Sequence, residues 1–127
     1  MPRFLAVCLG GAVGTGARYL LNGWFLRWLG PAFPWGTLAI NVLGSFLLTL
    51  ILTFALASDA IPLTLRIALT TGVLGGFTTY STFNHETLQY LLEQKWLLAG
   101  LYLGGTVLGC LLASLLGLAC GRALAAS

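Results

Sequence analysis

Residues 75–83 read GGFTTYSTF inside an apolar stretch long enough to cross a membrane. Gly75 and Gly76 each weaken a helix by about 1 kcal/mol relative to alanine, and Thr78 and Thr79 add β-branched stiffness. Together they predict a local unwinding. Irregular backbone at membrane depth survives only where it is buried in protein or lines a cavity. Carbonyls freed there are placed to hold a cation, as in the broken helices of transporters. The alternative is a continuous helix whose glycines admit a neighbour. Gly-Gly alone favours that alternative; Gly-Gly followed by Thr-Thr and Ser-Thr favours the break.

Other side chains nearby could serve a small anion. Tyr80 and Phe83 lie three apart on one helical face, and an aromatic ring has a positive edge. From the residues alone, ordinary packing is the better explanation of such a pair. Ser81 and Thr82 supply hydroxyl donors beside them. In the second apolar stretch Thr37, Asn41, Ser45, Thr49 and Thr53 recur at every fourth residue, which keeps them on one slowly drifting face. Serine and threonine can bond back to their own helix carbonyls. A carboxamide has two donors and an acceptor to satisfy, so Asn41 points to a polar path. Tyr102, Thr106, Cys110 and Ser114 form a matching stripe in the last stretch, which fits interhelical bonding as well as a pore wall. Arg18 reads first as a structural anchor, which either snorkels to the interface or caps a helix C-terminus where carbonyls are free, and second as an attractor of anions. Glu86 and His85 lie one turn past the break, near the end of the polar track.

The elements that must position these residues follow from composition. The chain has 127 residues, 58% hydrophobic and 7% charged, whereas a soluble domain carries about 25% charged residues. So short a chain cannot hide this much apolar surface in its own core, and lipid is its natural solvent. One domain, residues 1–127, is expected, with spans over about 4–21, 36–57, 63–92 and 96–118. The first is expected to continue through Trp24 and Trp28 as an interfacial turn or short helix. It follows Arg3 without an Ala-x-Ala site and is read as retained rather than as a cleaved signal. Trp24, Trp28, Trp35 and Trp96 fall near span ends, as an aromatic belt requires. Arg3, Arg66 and Arg122 lie on one side, and Arg27, Lys95 and in one placement Arg18 on the other, a balance that permits insertion in both orientations. Gly10 and Gly14, Gly100 and Gly104, Gly105 and Gly109, and Gly117 and Gly121 are spaced for close helix packing. An oligomer is expected, because four thin spans do not enclose a pore alone.

Several functions are disfavoured. Cys8, Cys110 and Cys120 form no CxxC pair and lie far from His85, the one histidine. There is no phosphate-binding glycine loop, no cluster of acids and bases suited to an enzyme, and no basic run for nucleic acid. A small dual-topology, proton-coupled multidrug exporter is the rival reading. It needs a carboxylate embedded in a span, and the first two spans contain none.

With GGFTTYSTF, the run Gly16-Ala17-Arg18 late in the first span and Gly36-Thr37-x-x-x-Asn41 opening the second, the chain resembles the Fluc (CrcB) fluoride channels over its full length. The resemblance implies an all-α membrane protein with four transmembrane helices, the third broken at its middle. It also implies an antiparallel dual-topology homodimer in a bacterial inner membrane. Two pores would conduct fluoride passively, and a structural Na+ would sit on the dimer axis, held by the backbone carbonyls of Gly75 and Thr78. Asn41, Tyr80, Ser81, Thr82, Phe83, Tyr102 and Thr106 match the family's pore positions, with Cys110 and Ser114 continuing the track. Tyr80 stands where the family usually has phenylalanine and Cys110 where serine is expected. Tyrosine keeps the positive ring edge and adds a donor, whereas a thiol is a weaker donor than a hydroxyl.

Overall fold

The computed structural model describes residues 1–127, and all its regular elements are helical. Helix α1 (Pro2–Leu29) has proline in its first turn, where a missing N–H costs nothing. It stops at Gly30, whose φ of 77° suits glycine, and Pro31 follows. Helix α2 (Trp35–Ser58) ends at Asp59 in the left-handed conformation. The third span comprises α3 (Leu63–Ile67), a π-helical segment (Ala68–Leu74) and α4 (Gly75–Phe77). Two extended residues, Thr78 and Thr79, separate these from α5 (Tyr80–Leu92). A tight turn with Gln94 at φ 59° leads into α6 (Trp96–Ala126).

Three helices, α1, α2 and α6, are each long and apolar enough to cross a membrane unbroken. The third crossing is divided by its break. Only 19 of 127 residues are buried, while long apolar side chains stand exposed along every span. Such a surface requires a lipid solvent, and the protein is a multi-pass membrane protein.

Two expectations need correction. Trp24 and Trp28 belong to one continuous α1 that runs on to Leu29, and α6 continues past Leu118 to Ala126. No proline or positive-φ residue interrupts either helix, so hydrogen bonding simply propagates. The break also lies later than the glycines suggest. Gly75 and Gly76 lie within a helix, and the chain becomes extended at Thr78. Glycine permits unwinding without compelling it, and Gly76 serves packing instead.

The helices associate as two parallel pairs. In the first, α1 runs beside the chain from Ala68 to Phe77. A Cβ on Gly10 would lie 2.5 Å from the Ala68 carbonyl oxygen, one on Gly76 would lie 2.6 Å from the Gly11 carbonyl, and one on Gly14 would overlap the Val73 carbonyl. Backbone thus meets backbone. In the second, α2 packs along α6, the most extensive helix contact in the molecule. There a Cβ on Gly117 would lie 2.5 Å from the Phe46 carbonyl, and one on Gly121 would lie 2.7 Å from the Thr53 Cβ. Gly100, Gly104 and Gly105 have open space in place of a neighbour. Their spacing reports no packing within the chain.

Gly14→Ala is therefore expected to cost about 1–3 kcal/mol through overpacking and to lower the melting temperature of the purified protein in detergent. Gly23→Ala, whose Cβ meets nothing within 4 Å, is expected to leave it unchanged or slightly raised. Equal melting of the two variants would show that α1 does not seat against Val73.

Candidate functional site

The break sets the backbone a problem that side chains from two other helices solve. Thr78 closes the incoming arm, with both its N–H (3.0 Å) and its hydroxyl (2.9 Å) donating to the Leu74 carbonyl. Thr79, extended, then turns both of its backbone groups towards α2. Its N–H donates to Asn41 Oδ1 at 2.8 Å, and Asn41 Nδ2 donates to its carbonyl at 3.0 Å. One buried carboxamide thus replaces the two helical partners that Thr79 gave up. One turn along α2, Gly44 leaves the space that the Thr78 methyl fills.

Thr79 also starts the next helix. Its hydroxyl oxygen accepts from the Thr82 N–H at 3.3 Å while its O–H donates to the Thr82 hydroxyl at 3.0 Å, an N-cap for α5. On the incoming side the Gly76 carbonyl accepts from Arg18 Nε at 3.1 Å and from the Thr15 hydroxyl at 3.4 Å. A cation at a helix C-terminus also meets the negative end of its dipole. Arg18 accordingly caps the carbonyl end of the broken helix.

Two carbonyls remain. An unbroken helix would aim the Thr79 N–H at Gly75 and the Thr82 N–H at Thr78. Both donors are diverted, to Asn41 and to the Thr79 hydroxyl. Gly75 and Thr78 thereby keep lone pairs free for an outside partner. Hard alkali cations take oxygen ligands of this kind, so the chemistry of these two carbonyls fits a sodium ion.

A groove of about 340 Å³, open along one side, runs beside the break between α2, α5 and α6. Asn41, Tyr80, Phe83, Thr106 and Cys110 all line it, as do the residues of the free carbonyls, Gly75 and Thr78. Tyr80 is 76% exposed and Phe83 is buried. Their rings meet edge to face, with centroids 6.0 Å apart. Thr106 Oγ1 is buried without a hydrogen-bond partner.

Ser45 of the α2 stripe also lines the groove, whereas several other candidate residues lie elsewhere. Tyr102 is fully buried among Phe33, Phe83 and Tyr90, and its hydroxyl donates to Glu86 Oε1 at 2.9 Å. Glu86 faces a separate cleft at the span end with Pro31, Gln89 and Lys95. Ser81 is exposed, Thr82 is engaged in the cap, and the Ser114 hydroxyl reaches the Ser45 carbonyl at 3.5 Å. Thr15 and Gly44 were not singled out by type or spacing, and Thr79 was read as part of the break but not as a hydrogen-bonding partner. The unmet demand of an asparagine in an apolar helix was the one signal that pointed towards that pairing.

Asn41→Ala would orphan both Thr79 backbone groups and is expected to cost on the order of 3 kcal/mol, measured as a lowered melting temperature of the folded protein in detergent. Unchanged melting would mean that the break is held by something other than this carboxamide.

Residues 5–118 match the family described as CrcB-like protein, Camphor Resistance (CrcB). Among similar proteins, one from Anaeromyxobacter dehalogenans is 57% identical over 114 residues, 90% of each chain. One from Sorangium cellulosum is 46% identical over 126 residues, 99% of each chain. One from Geobacter metallireducens is 45% identical over 122 residues, 96% of this chain and 98% of that one. All three bear the name fluoride-specific ion channel FluC. The matched range spans the whole of the broken third crossing and most of the other three helices, and the chain belongs to the CrcB family.

Proposed function

We propose that this protein is a fluoride-selective channel that lets cytoplasmic fluoride leave passively, and that the groove beside the break is part of the ion path. The observation that carries the reading is the convergence of Asn41, Tyr80, Phe83, Thr106 and Cys110 on that one groove, in a chain whose relatives are named for fluoride. The α5 N-terminus starts at the same place, and its first turn carries N–H groups and the positive end of a helix dipole. Fluoride needs strong donors to offset its dehydration. Hydroxyl, amide and ring-edge groups supply them without the deep trap that a fixed cation would create. Chloride, being larger, fits such a close set of donors less well. A negative interior drives the anion outward by about 2.3 kcal/mol per 100 mV, so no nucleotide or proton coupling is required.

The working unit in this reading is an antiparallel, dual-topology homodimer in the bacterial inner membrane, with two pores. The near balance of basic residues between the two ends supports it, as does the apolar surface left uncovered on one chain. The free carbonyls of Gly75 and Thr78 would hold a structural sodium ion between the subunits and would contribute two oxygens from each. The two sides of the break then divide the chemistry: carbonyls of the incoming arm face a cation, and the N–H end of α5 faces an anion. The exporter reading finds no support in the groove, whose lining contains no carboxylate.

Liposomes loaded with fluoride and containing the purified protein are expected to release it rapidly to an external electrode, with negligible release of chloride. Phe83→Ile, which keeps bulk and loses the ring edge, is expected to slow release by at least tenfold. Comparable fluoride and chloride release, or none from well-folded protein, would sink the reading. Replacing sodium by a large organic cation is expected to lower the melting temperature of the dimer; insensitivity to sodium would remove the metal from the proposal.

A further inference from the structure

Cys110 differs from the other two cysteines in where it lies. Cys8 is exposed on α1, Cys120 sits nearly three turns further along α6, and neither lines the groove. Cys110 does, in the company of Tyr80 and Phe83. One turn earlier on the same helix face, Thr106 presents a second and independent feature. It is only 5% exposed, lines the same groove and has a hydroxyl oxygen with no partner in the protein. A buried hydroxyl left so is satisfied by water or a polar solute when the site is roomy enough. A volume of about 340 Å³ is ample. Asn41, Ser45, Thr78 and Thr79 line the same groove as Cys110, so it offers the polar partners that water needs.

That distinction matters for reactivity. The thiolate is the nucleophile, and a thiol surrounded by hydrocarbon stays protonated and inert. A thiol on a wetted wall can ionise and meet small water-soluble reagents. We propose that Cys110 is a covalent modification site within the groove, open to small disulfides and thiosulfonates, and that its modification closes the path. In the reaction, the Cys110 thiolate attacks the sulfenyl sulfur of the reagent. A new S–S bond forms, the reagent's own S–S bond breaks, and the leaving thiolate or sulfinate departs with the electron pair. The thiol proton passes to water. The cysteine sulfur is oxidised to the disulfide level and the reagent is reduced by the same amount. The added group occupies part of the groove that Thr106, Tyr80 and Phe83 also line. The effect on conduction rests on the channel reading of this groove; the labelling does not.

The test uses the full-length protein in liposomes treated with methyl methanethiosulfonate. Mass spectrometry reports labelling at each cysteine, and fluoride efflux is measured before treatment, after it, and after reduction with dithiothreitol. Cys110 is expected to label at least tenfold faster than Cys8, efflux is expected to fall at least tenfold, and reduction is expected to restore it. Cys110→Ser, whatever its own rate, is expected to keep that rate after treatment. Cys110 labelling no faster than Cys8 would overturn the proposal, as would full efflux from protein labelled at Cys110. Absence of fluoride efflux from untreated protein would instead sink the channel reading, and the labelling ratio would still decide whether the groove is wet.

Discussion

The arrangement depends on a rule of membrane chemistry: a backbone group that leaves a helix inside the bilayer must find another partner, because hydrocarbon offers none. Thr78 and Thr79 leave the helix. Asn41 receives both groups of Thr79, Arg18 and Thr15 receive the carbonyl of Gly76, and the Thr79 hydroxyl receives the Thr82 N–H in the first turn of the next helix. Each replacement comes from a side chain that would be a liability in an ordinary apolar span. The polar residues of α1 and α2 are therefore explained by the third span, and the break is explained by them.

Close packing makes those reaches possible. Arg18 can meet Gly76 only because Gly10, Gly14, Gly72 and Gly76 let α1 lie backbone to backbone against the third span. The carboxamide of Asn41 is short, so α2 must hold its register to within an ångström or so for two bonds to form at once. Gly44 helps to set that register by accepting the Thr78 methyl. The parallel pairing of α2 with α6, seated on Gly117 and Gly121, then brings Thr106 and Cys110 to the same opening as the break. Small residues thus do not form the site but fix the distances within it.

Charge and dipole follow the same logic. A helix broken at mid-membrane exposes a carbonyl end and an N–H end side by side. Arg18 answers part of the carbonyl end, and the oxygens of Gly75 and Thr78 lose the Thr79 and Thr82 N–H partners that an unbroken helix would give them. The N–H end, capped by Thr79, opens where Tyr80 and Phe83 turn towards the groove. No carboxylate lies among the groove residues. Glu86 is held apart by its bond to Tyr102, behind the ring of Phe83.

What the sequence determined by itself is local. Apolar length placed four spans, Gly30 and the Asp59 turn ended two of them, and the Thr-Thr pair after Gly-Gly announced a break. The four-residue spacing put Asn41 on a polar face and Thr106 with Cys110 on another. These follow from what a few adjacent residues can or cannot do as a helix. The tertiary structure decided the rest. It kept Gly75 and Gly76 helical and moved the break to Thr78, because Gly76 is needed flat against α1. It chose Thr79, 38 residues away, as the partner of Asn41, and Gly76, 58 residues away, as the partner of Arg18. It buried Tyr102 among aromatic rings while leaving Thr106, one turn on, at the groove. Periodicity gives a face but not what the face meets, since a hydrogen-bond partner or a glycine contact across such separations is selected by how whole helices pack.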